Sequence, residues 1–492
     1  MSKKMNFIFF FPDEMRAESV SCYGHPLVKM PNYDRMAKEG VRFDKCFVQH
    51  PVCSPSRCCL MTGWYPHVNG HRTLWHLLRS HEPSMLKYLK DASYEIRWFG
   101  KNDVFATDFL DANADIYGNR NPGGGHKGNN IFGIEEEGYY TFLKDSYNKG
   151  IDNTNDMHNV KKAVEFLNSY DENQDKPFML YLPLSMPHPP YSAPDDYHDM
   201  YDINDIEELR PYIKDGKPDF HSLIRKYRNI ENIPKYLLKK IQAVYLGMNS
   251  CMDNMLGMLL DVLDKTGLAD STTVIVSSDH GDFAGDYGLV EKWPSAMSDV
   301  ITRVPLIIRM PKNKASHVIN EQVELFDIMP TVLELANVEC KHTHFARSLV
   351  EQLKGASGDA DRYVFTEGGY DGHELNCFEG YEGRYYDPDK MTEKHDYYPK
   401  RTQQQEHPES VCRTTMIRSL DYKLVRRTNG CNELYDLNKD PRELNNCYNL
   451  EAYSHIRSKL EMKMLDWYMH TSDVVPMDDD NRGFKHEKWK ID

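Results

Sequence analysis

Short apolar runs alternate with longer stretches of helical periodicity along most of the chain. Asn6–Phe11, Tyr94–Phe99, Phe178–Leu184, Thr273–Ser277 and Val304–Ile308 are bounded by polar turns and read as core strands. A strand covered on both faces shows a run of apolar residues instead of alternation, the pattern of a parallel sheet wrapped by helices. Lys235–Lys265 carries apolar residues at helical spacing and stops at Gly267, a suitable helix C-cap. The pattern predicts an α/β fold with a large mixed, mostly parallel sheet flanked by helices over residues 1–350. In open sheets of this kind ligands lie beyond the carboxyl ends of the strands, so the residues just after each strand are where chemistry is sought.

After about Leu335 the texture changes. Residues 355–410 are polar and rich in Tyr, Gly, Asp, Lys and Gln, which predicts long surface loops that shape specificity. Thr414–Val425 and Glu433–Leu437 then alternate as an antiparallel hairpin would, and Ala452–Tyr468 reads as a final helix. Residues 351–492 are therefore expected to form a smaller C-terminal α+β domain.

Composition narrows the function classes. The 40% hydrophobic and 27% charged content is that of an ordinary soluble globular chain. A net charge of −15 argues against nucleic-acid or anionic-membrane partners, and an anionic substrate would need a local basic pocket. The longest apolar run, Phe7 to Phe11, is too short to span a bilayer. The basic start and this run are followed at once by Pro12, Asp13 and Glu14, with no small-residue cleavage site, so they read as a first strand instead of an export signal. The 11 cysteines are irregularly spaced without CxxC pairs, which points to reduced thiols and a cytoplasmic location.

Three segments carry chemistry. The first strand ends in Asp13 and Glu14; alone, the pair reads as a helix N-cap, but buried carboxylates are costly unless something neutralises them. The strand ending at Ser278 runs into Asp279-His280-Gly281-Asp282, which fits a metal site or a tight turn. Together Asp13, Glu14, Asp279 and His280 supply four ligands for one divalent cation. The third segment is Cys53-Ser54-Pro55-Ser56-Arg57. Ser54 suits an N-cap, Pro55 the first helical position and Gly63 the stop, so a helix N-terminus would face an anion with Cys53 beside it and Arg57 one turn in.

Cys53, Pro55, Ser56, Arg57 and Met61-Thr62-Gly63, with Met for the usual Leu, resemble the signature of the sulfatase family in the alkaline-phosphatase superfamily. The resemblance extends to Gly100-Lys101, Pro187-His188-Pro189, Ser278–Gly281, Asp327–Thr331 and Glu433–Asp436 with Asp440-Pro441. It implies a sulfate monoester hydrolase, acting on a sulfated sugar, aryl or steroid sulfate, with Cys53 converted to formylglycine by a sulfatase-maturating enzyme. The hydrated aldehyde would attack sulfur beside one divalent cation, with Ca2+ favoured by the resemblance and Mg2+ or Mn2+ as alternatives. Asp13, Glu14, Asp279 and His280 would be the metal ligands. Arg57 would hold the nucleophile or the metal's surroundings, Lys101 and Lys292 would clamp the sulfate, and His188 would sit near the ester oxygen.

Two departures stand out. Asn102 and Asp103 follow Lys101 where many sulfatases have a His, and His71 or His76 could stand in as base. The Asp279-His280 pair replaces Asp-Asn and also appears in phosphonate monoester hydrolases and phosphodiesterases on the same scaffold. These are the enzymatic alternative; a catalytically silent sulfatase-like binder is the other.

Overall fold

A computed structural model describes residues 4–118, 128–147, 150–173, 176–311, 316–376, 391–477 and 482–483. Eight strands form one sheet: β1 (Asn6–Asp13), β2 (Val41–Phe47), β3 (Glu95–Phe99), β4 (Ile116–Gly118), β5 (Phe178–Pro187), β6 (Thr272–Ser277), β7 (Arg303–Arg309) and β8 (His317–Glu324). Their order is β4-β3-β5-β1-β6-β7-β2-β8, and the pairings are parallel except for the two made by β7. The large, mostly parallel sheet flanked by helices is thus the fold that the sequence predicts.

The central strands are apolar throughout because both faces are covered. Along β1, Ile8 and Phe10 pack against the long helix Lys235–Thr266 and the helix Asn155–Ser169, while Phe7, Phe9 and Phe11 face a second cluster with Met61, Leu86 and Met329. Removing a side chain of this size from water stabilises by roughly 1.5–3 kcal/mol. The four neighbouring strands β3, β5, β1 and β6 run in one direction, so their carboxyl ends line one edge of the molecule.

A second, antiparallel sheet of β9 (Val364–Gly368), β10 (Thr414–Arg418), β11 (Tyr422–Arg427) and β12 (Glu433–Asp436) has the order β12-β11-β10-β9. Helix Ser454–Thr471 covers it, with Trp467 stacked on Phe365 at 4.4 Å between centroids. Within residues 355–410 the expectation of loops alone is corrected: β9 and the helix Tyr398–Glu406 lie there, while residues 377–390 fall outside the described residues. Among the described residues no helix is long and apolar enough to cross a membrane.

Candidate active site

The adjacent ends of β3, β5, β1 and β6 deliver Lys101, His188, Asp13 with Glu14, and Asp279 with His280 to one place. Gly100 makes the first delivery possible. Its φ is +147°, and a Cβ there would stand 2.1 Å from the Pro183 carbonyl oxygen of β5. Glu14, at φ 70°, is a non-glycine residue in left-handed conformation, a local strain of about 1–3 kcal/mol that surrounding contacts must offset.

Cys53 arrives from the other side, at the start of helix Cys53–Thr62. The expected cap is shifted: Val52, not Ser54, is the N-cap, and Ser56 N–H bonds back to the Val52 carbonyl. Pro55 still costs nothing, because the first four amides of a helix have no intrahelical partner. Ser56 Oγ donates to the Asp279 backbone carbonyl at 2.7 Å, tying the helix to the end of β6. Gly63 closes the helix in left-handed conformation, as expected.

The side chains form one dense network. Asp279 Oδ1 accepts from the Glu14 and His280 amides at 3.0 Å each, and Arg57 Nε donates to its Oδ2 at 2.8 Å. Arg57 also reaches Asp13 Oδ2 at 3.2 Å. Lys101 Nζ donates to Asp13 Oδ2 at 2.7 Å and pairs with Asp103 at 2.7 Å. Lys292 Nζ lies 2.9 Å from Glu14 Oε2 and 3.0 Å from His188 Nε2. Cys53 Sγ is 3.1 Å from His280 Nε2, 3.4 Å from Asp13 Oδ1 and 3.9 Å from Lys101 Nζ. All nine residues singled out in the sequence therefore meet here. His71 does not: its two ring nitrogens face the His76 carbonyl and Glu82, so it is not placed as a base. His76 Nδ1 faces Thr73 Oγ1 at 3.4 Å, and Asp103 stands beside Lys101.

Burial sets the protonation states. His280 Nδ1 faces the Gly281 carbonyl at 2.9 Å, which can only accept, so Nδ1 carries the hydrogen and Nε2 offers its lone pair toward Cys53. Burial, outweighing Asp279, pushes its pKa below the usual imidazole range and keeps the ring neutral. Desolvation opposes charge on Asp13, yet Lys101 and Arg57 hold it well below the usual carboxylate range. Glu14 goes the other way: burial, reinforced by Asp282 and Glu291, outweighs Lys292 and raises it. Burial and Asp13 also push the Cys53 thiol up, so the encoded side chain is a poor nucleophile.

The donor set suits a divalent cation. Ligand atoms of Asp13, Cys53, Asp279 and His280 lie within 4.8 Å of one another, and Asp13, Glu14 and His188 form a second such group. Among the described residues Glu14 Oε1 is buried without a hydrogen-bond partner, a group that a cation would satisfy. Hard carboxylate oxygens and one neutral imidazole fit a divalent ion without selecting which one. Residues that motif reasoning left without a role complete the surroundings: Tyr191 donates to Asp282 at 2.6 Å, and Glu291 receives Lys400 at 2.6 Å and Arg228 at 3.2 Å. Asp282 was legible as part of the Asp-His-Gly-Asp run, whereas nothing local in the sequence marks Glu291 or Lys400.

Comparison with known proteins agrees with this geometry. Residues 5–338 match the family described as Sulfatase, and residues 387–470 the one described as N-sulphoglucosamine sulphohydrolase, C-terminal. The chain is 25% identical over 533 residues to an N-acetylglucosamine-6-O-sulfatase of Bacteroides thetaiotaomicron, covering 94% of this chain and 86% of that one. It is 25% identical over 491 residues to an arylsulfatase of Clostridium perfringens, covering 92% and 91%. In fold it is similar to the phosphonate monoester hydrolase of Agrobacterium radiobacter, with a TM-score of 0.74 at 20% identity over 95% and 96% of the two chains. With its signature cysteine seated among buried carboxylates and cations at the ends of a parallel sheet, the chain belongs to the sulfatase family of sulfuric ester hydrolases, within the alkaline-phosphatase superfamily.

Proposed function

We propose that the chain hydrolyses a sulfate monoester of a sugar, with formylglycine made from Cys53 as its reactive group and one divalent cation held by Asp13, Glu14, Asp279 and His280. The two groups together supply the oxygen nucleophile and neutralise charge on the sulfate. The chain's own residues do the rest. Arg57 fixes Asp13 and Asp279 against each other, by ion pairs to both and an Nε hydrogen bond to Asp279. Lys101 and Lys292 donate to sulfate oxygens where negative charge develops. His188 is 15% exposed at the mouth of the site, with Nδ1 on the Pro189 carbonyl and Nε2 accepting from Lys292; as an imidazolium turned out of that Lys292 bond it gives its Nε2 proton to the departing sugar oxygen. The observation that carries the reading is the convergence of four strand ends on the signature cysteine.

The alcohol is read as a sugar because a sugar sulfatase covers nearly the whole chain and because polar side chains line the neighbouring cleft. Calcium is the proposed metal, and a maturating enzyme acting in the cytoplasm the proposed partner. One observation favours a second activity: His280 stands where many sulfatases have Asn, as in the phosphonate monoester hydrolases that share this scaffold. The test is product release from sulfated sugars, aryl sulfates and phosphonate monoesters, with mass spectrometry of the Cys53 peptide. Sulfate release proportional to the formylglycine content supports the reading. Full activity with an unmodified Cys53 thiol, or hydrolysis of phosphonates alone, overturns it.

A further inference from the structure

Of the three cations named at the site, Arg57 and Lys292 are buried, whereas Lys101 keeps 28% of its side chain exposed. A lysine ammonium on its long flexible stem has no fixed place unless anions supply one. Here two do: Asp13 Oδ2 and Asp103 Oδ2, each 2.7 Å from Lys101 Nζ. The ammonium so held stands 3.9 Å from Cys53 Sγ.

The two anchors are not equivalent. Asp13 is shared: Arg57 Nη2 reaches the same Oδ2 at 3.2 Å, and Asp13 belongs to both groups of side chains that could hold a cation. A cation there would draw on the carboxylate that Lys101 uses and would repel its ammonium. Asp103 has no such duties. Among the described residues Lys101 is its one ion-pair partner, and it belongs to neither candidate ligand group. The turn that carries it is tied down at both ends. Lys101 N–H donates to the Pro183 carbonyl at 2.7 Å. Asn102 Oδ1 accepts from the Val104 and Phe105 amides at 3.3 and 3.1 Å, while its Nδ2 donates to the Phe105 carbonyl at 3.0 Å. Val104 and Phe105 are buried, and the Val104 carbonyl and the Ala106 amide both bond to Leu78. A partly exposed pair contributes little to stability. What it changes is where the ammonium stands.

We infer that Asp103 is a positioning residue for the reaction: it keeps the Lys101 ammonium drawn out from Asp13, where it can donate to a sulfate oxygen. The inference rests on the sulfate-ester reading above and deepens it. Two effects of Asp103 on a bound sulfate oppose each other. As an anion it repels the sulfate, and as an anchor it orders Lys101 before the substrate arrives. The second is the larger, because a misplacement of about 1 Å can cost about 100-fold in rate, whereas water screens the repulsion from a partly exposed charge.

The test is a double-mutant cycle of matured wild type, Asp103→Asn, Lys101→Met and the pair, on 4-nitrophenyl sulfate and a hexose monosulfate, with Asp103→Glu and Asp103→His beside them. Lys101→Met should lower kcat/KM about 100- to 1000-fold, as loss of a preorganised donor does. Asp103→Asn should lower it about tenfold to hundredfold on both substrates, at an unchanged urea midpoint. In the Lys101→Met background the same change should cost less than about twofold, because the two residues act as one unit. Asp103→Glu should recover part of the loss by restoring the charge, and Asp103→His should not. Calorimetric titration of inorganic sulfate into Cys53→Ala protein, purified with its metal, reads position without turnover. There Asp103→Asn should weaken binding, again only while Lys101 is present. An equal loss in the Lys101→Met background would mean that Asp103 acts through the loop or another group, and would overturn the inference. So would tighter sulfate binding by Asp103→Asn, the sign expected of repulsion alone, or full activity of Asp103→His, the mark of a proton acceptor. Absence of sulfate release from both substrates by formylglycine-bearing wild type would instead sink the function, and the sulfate titration would still decide whether Asp103 sets Lys101 on a tetrahedral anion.

Discussion

Lys292 and His188 are the side chains whose removal speaks most directly about the reaction. Lys292 is buried between Glu14 and His188, so its ammonium is held in place before substrate arrives. Loss of one preorganised donor to developing charge typically lowers turnover about 100- to 1000-fold. Lys292→Ala should show such a fall in kcat with every substrate. His188→Ala should show it with sugar sulfates, but less with aryl sulfates whose phenolate leaves without a proton. A leaving-group series on both variants is the measurement, and losses confined to KM would move the two residues to recognition of the alcohol. At this scale the sequence was informative wherever a residue sat in a motif: Cys53, Arg57, Asp13, Asp279 and His280 could be found by spacing and neighbours. Lys101, His188 and Lys292 depended on the family resemblance. Arg72, Glu291 and Lys400 were invisible, because each is tied to partners far away in sequence, Arg72 to Glu367 and Glu291 to Arg228 and Lys400. His71 and His76 misled for the same reason, since proximity in sequence to Cys53 did not bring either to it.

Elements place these residues, and the end of β3 is the most sensitive joint. Gly100 lies against Pro183 of β5, and Lys101 N–H donates to the Pro183 carbonyl at 2.7 Å. Gly100→Ala would force the two strand ends apart and carry Lys101 off Asp13. A destabilisation of about 2 kcal/mol or more is expected from the left-handed φ and the clash together, with a fall in activity larger than the fall in folded fraction. Urea unfolding beside turnover checks it; a variant with unchanged stability and rate would show that the backbone relaxes without cost. The strands legible in advance were those covered on both faces, such as β1 and β5, where burial writes an unbroken apolar run. β2 (VRFDKCF) and β8 (HVINEQVE), toward the sheet's outer edge, keep polar positions partly exposed and so carried no such run. β9 was hidden because five residues of strand sat inside a long polar segment.

On the scale of the whole molecule, the two sheets are joined by buried ion pairs. Asp299 pairs with Arg418 and Lys423, Arg362 with Glu324 and Asp327, and Glu367 of β9 with Arg72 and His67. Composition disclosed the overall acidity but not that this seam is where charge is concentrated and dry. Glu367 allows the consequence to be worked out. Burial alone would raise its pKa, but Arg72 and His67 bring it down to about 2 in the folded chain, whereas an unfolded Glu titrates near 4.3. Above that unfolded value both states are ionised and the full stabilisation is present. As pH falls toward 2 the unfolded chain takes up the proton first, so the contribution drains away between about pH 5 and 2. The size follows from the shift, about 3 kcal/mol at neutral pH for this one group. Other carboxylates shift in both directions, Asp253 upward to about 6 under burial, so the total acid profile does not isolate the seam. A difference does. Glu367→Gln should be less stable than wild type by about 3 kcal/mol near pH 7, the scale of penalty for leaving a buried cation without its partner, and the gap should close steadily as pH falls through the window from 5 to 2. Urea midpoints of the two proteins along that pH series are the measurement. A gap that stays constant with pH would mean that Glu367 stabilises by packing and neutral hydrogen bonds, and that the seam is not electrostatic.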